Sequence, residues 1–74
     1  SANDQQSLVD YFAQLRPKRW QEWEGQYKDL TTAQYIFLIL QDDLRYDDET
    51  IATILDLKRP SVRSMRSRIK GTVS

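Results

Sequence analysis

Seventy-four residues, 39% of them hydrophobic, with two Gly, two Pro, two Trp, four Tyr and two Phe, fit one small helical core better than a turn-rich all-β fold. The absence of Cys and His removes disulfides, thiolate nucleophiles, thiolate or imidazole metal sites and the commonest general base. Eleven bases cancel eleven acids overall, yet residues 1–57 hold all the acids and only Arg16, Lys18, Arg19, Lys28 and Arg45, a net −6, while residues 58–74 hold six bases and no acid, a net +6. Charge segregated in this way points to a polyanionic partner for the C-terminal segment.

Ser1-Ala2-Asn3 carries no pattern and is read as a non-native remnant outside the fold. Leu8, Tyr11, Phe12 and Leu15 recur at i, i+3, i+4 and i+7, predicting a first helix from about Asp4 or Ser7 to Leu15 with that stripe inward. Pro17 ends it, because the residue before a proline is pushed out of the helical region. A second helix is predicted from about Lys18 to Lys28, with Trp20, Trp23 and Tyr27 on one side. That stripe is read first as core, with a dimer contact or a docking face as the alternatives. Thr31 and Gln34 have capping-box spacing and open a third helix that runs through Tyr35-Ile36-Phe37-Leu38-Ile39-Leu40 to about Asp43. Six apolar or aromatic residues in a row predict that this helix is central and buried nearly all round.

The next stretch is two short helices joined by a tight turn. Asp47 or Asp48 caps the first, and Ile51, Ala52 and Leu55 form its apolar stripe, with the small Ala52 permitting close approach of a second helix. Asp56-Leu57-Lys58-Arg59 breaks the pattern, with Leu57 as an apolar plug. Pro60 then sits in the first turn of a helix ending at Lys70, where its missing N–H is not needed. Val62, Met65 and Ile69 form the buried stripe of that helix, and the remaining positions are Arg, Ser and Lys. One supporting helix and one helix with a basic, hydroxyl-rich face make a helix-turn-helix. The fold expected is all-α, a small bundle of about five short helices. Residues 1–29 supply aromatic-bearing linker or support helices, and residues 30–74 the helix-turn-helix domain.

The string Glu49-Thr50-Ile51-Ala52-x-x-Leu55-x-Leu57-x-x-x-Ser61-Val62-Arg63 resembles the helix-turn-helix of LuxR-type regulators and of the fourth conserved region of sigma factors. Leu30-Thr31-Thr32-Ala33-Gln34 looks like the start of the support helix preceding the motif in both groups. The resemblance covers residues 30–74. Leu44-Arg45-Tyr46 lacks the glycine usual in the LuxR-type turn and is one residue longer, which is similar to the sigma spacing. Lys58 stands where the recognition helix is often opened by Ser, and Met65 where its core side often carries His. Trp20-x-x-Trp23-x-x-x-Tyr27 before a Leu-Thr helix start also resembles the segment leading into LuxR-type domains of some large bacterial regulators. The resemblance implies the DNA-binding part of a bacterial transcriptional regulator, in which the positions of Arg63, Ser64 and Ser67 contact bases.

Helical geometry agrees with that assignment. At 100° per residue Met65 and Ile69 fall within about 60° of Val62, and Arg63, Ser64 and Ser67 lie on the opposite arc. Arg63 is the prime reader, since a guanidinium can bond both acceptors of guanine. Lys58, Arg59, Ser61, Arg68 and Lys70 flank these positions and are expected on phosphates. Arg66, at the edge of the apolar stripe, is expected either on DNA or paired with an acid of an earlier helix. The acids Asp42-Asp43 and Asp47-Asp48-Glu49 lack calcium-loop spacing and are read as caps and a solvated face. No glycine-rich phosphate loop is present, and no enzyme, cofactor or metal site is expected. No apolar run reaches the ~18 residues of a membrane span and no signal-peptide pattern opens the chain, so the expectation is a cytoplasmic protein without membrane contact. The partner expected is double-stranded DNA, with homodimer pairing on two half-sites. The alternatives are a sigma-like module docking on RNA polymerase and a protein-interaction module without a DNA target.

Overall fold

A proline divides the first two helices. In the computed structural model, which describes residues 2–74, α1 spans Ala2–Leu15 and α2 spans Pro17–Gln26. Arg16 between them takes a non-helical φ of −127° and ψ of 63°, as a residue before proline is driven to do, and Pro17 opens α2 at a position that needs no N–H. Helix α1 takes in Ala2 and Asn3, which the sequence reading set aside; Ser1 lies outside the described residues.

The inward face of α1 differs from the expected one. Phe12 is buried, but its apolar companion inside is Val9, whereas Leu8, Tyr11 and Leu15 are 49%, 62% and 60% exposed. Two contacts set this rotation, about one residue or 100° from the predicted stripe. The Phe12 ring stacks on Trp23 of α2 at 5.3 Å, and Thr32 Oγ1 donates to Gln6 Oε1 at 2.7 Å. The aromatic side of α2 does face inward: Trp23 is fully buried, Trp20 stacks on Tyr35 at 4.3 Å, and Tyr27 is half-buried against the core.

Helix α3, Thr32–Leu38, begins with the predicted capping box, in which Thr31 Oγ1 accepts from the Gln34 N–H and Gln34 Oε1 accepts from the Thr31 N–H. Five consecutive residues, Ile36 to Leu40, are buried, so α3 is the centre of the fold. It does not continue as a regular α-helix to Asp43. Ile39–Asp43 is a π-helical turn, closed by the Leu44 N–H on the Ile39 carbonyl at 2.9 Å. Helix α4, Asp48–Leu55, is capped by Asp47, whose carboxylate accepts from the Thr50 N–H at 2.9 Å. It ends at Asp56 in the left-handed region (φ 55°), with the Leu57 N–H returning to the Ala52 carbonyl at 2.8 Å and Leu57 packed on the core. Helix α5 spans Arg59–Lys70 and buries Val62 and Ile69 completely or nearly so, with Met65 packed beside them.

The chain after α5 folds back on α2. Tyr27 and Val73 form a single antiparallel bridge, the Lys28 N–H donates to the Thr72 carbonyl at 2.8 Å, and the Ser74 N–H donates to the Gln26 carbonyl at 3.0 Å. Among the described residues there are five helices and no strand, an all-α bundle as composition and periodicity predicted. Val9, Phe12 and Trp23 from residues 1–29 share one core with Phe37, Ile51, Val62 and Ile69 from residues 30–74.

Candidate nucleic-acid interface

The orientation of α5 is set from below by α4. Ile51 and Ala52 are buried on α4, Val62 is fully buried on α5, and the two helices pack directly on each other. Acids in the first turn of α4, favoured there by the helix dipole, reach across to bases of α5. Arg66 bonds Asp48 with both terminal nitrogens, Nη1 to Oδ2 at 3.2 Å and Nη2 to Oδ1. Its Nε donates to Gln41 Oε1 in the π-helical turn at 2.6 Å, and its guanidinium carbon lies 5.6 Å from the centre of the Phe37 ring. Arg66 is thus engaged by α3, the π-helical turn and α4 together. Of the two roles the sequence left open for it, the pairing with an acid is the one occupied. Nearer the start of α5, Arg59 Nη2 pairs with Glu49 Oε2 at 3.1 Å, with both side chains well exposed.

The outer side of α5 is different. Ser61, Arg63, Ser64, Ser67, Arg68 and Lys70 are all exposed, as is Lys58 at the N-cap. Among the described residues Lys58, Arg63, Arg68 and Lys70 form no ion pair. The twelve-residue helix is about 18 Å long at 1.5 Å per residue, so these groups occupy a rod of convex, hydrated surface. Lys58 makes no side-chain cap, leaving the positive end of the α5 dipole without a side-chain oxygen. Every residue assigned to DNA from the sequence is therefore exposed on or just before α5, spread over about half of its circumference, except Arg66, which is turned inward; Arg59 is exposed but held by Glu49.

The acids that the sequence clusters are dispersed into separate local tasks. Asp43 pairs with Arg16 at 3.1 Å, Asp47 caps α4, Asp48 holds Arg66, and Glu49 holds Arg59. The hydrogen bond from Arg66 keeps the Asp48 carboxyl below its ordinary pKa and raises that of Arg66. The hydrogen bonds from Thr50 likewise lower the pKa of Asp47. Gln41 and Asp48 were missed as positioning residues by sequence reasoning, because their partner lies 25 and 18 positions away. The acidic first turn of α4 opposite a basic helix was the available signal.

No family model, curated protein or solved structure matches the chain. Among the described residues no helix is long and apolar enough to cross a membrane.

Proposed function

We propose that the chain binds double-stranded DNA sequence-specifically by placing α5 in the major groove, as the DNA-binding part of a bacterial transcriptional regulator. One observation carries this reading. Helix α5 is clamped on its inner side by Val62, Ile69 and the Arg66 pair, while its outer side holds short hydroxyls among Lys58, Arg63, Arg68 and Lys70, which form no ion pair among the described residues. A rigid helix with Arg, Ser and Ser at its centre and bases at both ends matches what groove readout needs: readers in the middle and phosphate contacts flanking them. Arg63, Ser64 and Ser67 are the base readers; Lys58, Ser61, Arg68 and Lys70 hold phosphates, with the uncapped start of α5 favouring an anion. Arg59 joins them when it leaves Glu49. The likeness of residues 49–63 to the LuxR-type and sigma region 4 motif supports the same arrangement.

The test is selection from a pool of random duplexes, followed by binding of the Arg63→Ala chain to the recovered site. A shared short sequence should emerge, and the substitution should cost about 1–3 kcal/mol on it and relax preference at one base pair. Recovery of no common sequence would overturn the reading and leave α5 as a basic face for an acidic protein surface.

A further inference from the structure

The chain beyond α5 first closes that helix and then ties it to α2. All of the last four carbonyls of α5 find donors in the residues that follow. Ser67 and Arg68 each accept from the Gly71 N–H at 3.1 Å, Ile69 from the Thr72 N–H at 3.0 Å and Thr72 Oγ1 at 2.8 Å, and Lys70 from the Val73 N–H at 3.4 Å. The negative end of the α5 dipole is thus covered from within the chain. Arg68 and Lys70 in the last turn form no hydrogen bond with it among the described residues. Thr72 and Ser74 then pair with Lys28 and Gln26 on either side of the Tyr27–Val73 bridge. Residues opposite each other in such a pairing lie about 5 Å apart between Cα atoms, so Lys28 stands beside Thr72, two positions past Lys70. Side chains alternate along extended backbone: Tyr27 packs on the core, and Lys28 is exposed on the other side. Neither Lys28 nor the neighbouring Asp29 forms an ion pair among the described residues.

We propose that Lys28 is a further phosphate contact, taking a backbone phosphate just outside the bases that α5 reads. This rests on the DNA-binding reading of α5 and extends its surface to a second element. The fold takes one base from the acidic part of the chain and sets it at the C-terminal end of the basic helix, next to Arg68 and Lys70. Three bases gathered at a helix end whose carbonyls are already bonded make a seat for an anion. Phosphates held only by side chains of α5 leave that helix free to roll about its own axis. A grip from the residue after α2 resists the roll, so Lys28 fixes register and carries no base information. The contact lies in the flank, and a duplex cut to the selected bases lacks it.

The test uses the intact chain and a duplex that carries the selected sequence between flanks of about half a helical turn. Lys28→Ala should weaken binding by about 2- to 5-fold, the range of one exposed charge pair, and Lys28→Arg should retain it. Flank phosphates are then replaced one at a time by neutral methylphosphonates. One replacement should cost the intact chain the same factor and cost the Lys28→Ala chain nothing more, because both changes remove a single contact. On the duplex cut to the selected bases, the Lys28→Ala chain should bind as the intact one does. The side chain of Lys28 is exposed and its bond to Thr72 is made by the backbone, so the urea midpoint should not move. Losses that multiply at every flank phosphate, or a Lys28→Ala chain that binds the flanked duplex undiminished, would overturn the contact and leave α5 as the reader. An intact chain that prefers no duplex over another would overturn the DNA-binding reading and the contact with it.

Discussion

Arg66 in the middle of α5 grips Asp48 in the first turn of α4 through both terminal guanidinium nitrogens, with Gln41 of the π-helical turn bonded to its Nε. The most central base of the basic segment therefore faces inward. Its charge is neutralised within the protein, and what it supplies is the angle at which the rest of α5 is displayed. Four bases, Lys58, Arg63, Arg68 and Lys70, remain for an external anion.

This division predicts opposite phenotypes for two arginines three positions apart. Arg66→Ala removes a bidentate pair that is only partly screened and strands Gln41, so it should lower stability by about 1–2 kcal/mol. Arg63→Ala removes an exposed side chain with no ion pair and should leave stability within about 0.5 kcal/mol. Urea unfolding measures both, and Arg63→Ala should weaken binding to the selected duplex by about 1–3 kcal/mol while leaving the fold intact. Equal midpoints for the two variants would refute the inward role of Arg66.

A pH dependence follows from Asp48 and Asp47, whose carboxyls both titrate below their ordinary value in the folded chain. Folding is favoured by the ionised form of each. That stabilisation is complete above the unfolded carboxylate pKa of about 3.9 and is lost as pH falls through the lower folded value. The urea midpoint of the intact chain should therefore drop more steeply below about pH 4 than that of Asp48→Asn. Parallel curves for the two proteins would show that the Arg66 pair does not couple folding to that proton.

What could be read from the sequence was set by how local its causes are. The Thr31–Gln34 capping box, the Asp47 cap, the Pro17 break and the Val62–Met65–Ile69 stripe depend on neighbours within seven positions, and the structure contains all of them. The rotation of α1 was not legible. Leu8, Tyr11, Phe12 and Leu15 form the fuller apolar pattern, but the stacking of Phe12 on Trp23 and the Gln6 bond to Thr32 turn Val9 inward instead. The π-helical turn was hidden for a related reason: nothing in Ile39-Leu40-Gln41-Asp42-Asp43 opposes an α-helix. Within the candidate interface the outer residues of α5 were legible from periodicity and charge. The partners of Arg59 and Arg66 were not, because pairing across a turn depends on the crossing of two helices rather than on spacing.

That crossing can be probed at Ala52, which is buried between α4 and its neighbours. Ala52→Leu adds three carbons where the fold has only a methyl group, and should cost about 1–3 kcal/mol through overpacking. Ile54→Leu on the half-exposed side of the same helix should change little. If urea midpoints of the two variants match, the close approach of the helices at residue 52 is wrong.

Glu49 holds Arg59 at the edge of the basic face. Each phosphate neutralised by a base contributes about 0.9 to the fall of log affinity with log salt. Lys58, Arg68 and Lys70, which are exposed and form no ion pair among the described residues, should give a slope near −2.7 by that rule. Glu49→Gln removes the competing carboxylate and releases Arg59 for a fourth phosphate. The slope should then steepen to about −3.6, with tighter binding at low salt to every duplex alike, because phosphate contacts carry no base information. Lys58→Ala should change the slope by the same amount in the opposite direction. The measurement is a salt titration of the three proteins on the selected site and on an unrelated duplex. A slope unchanged by Glu49→Gln would mean that Arg59 does not reach the backbone from its place on α5, and affinity gained only on the selected site would mean that it reads a base.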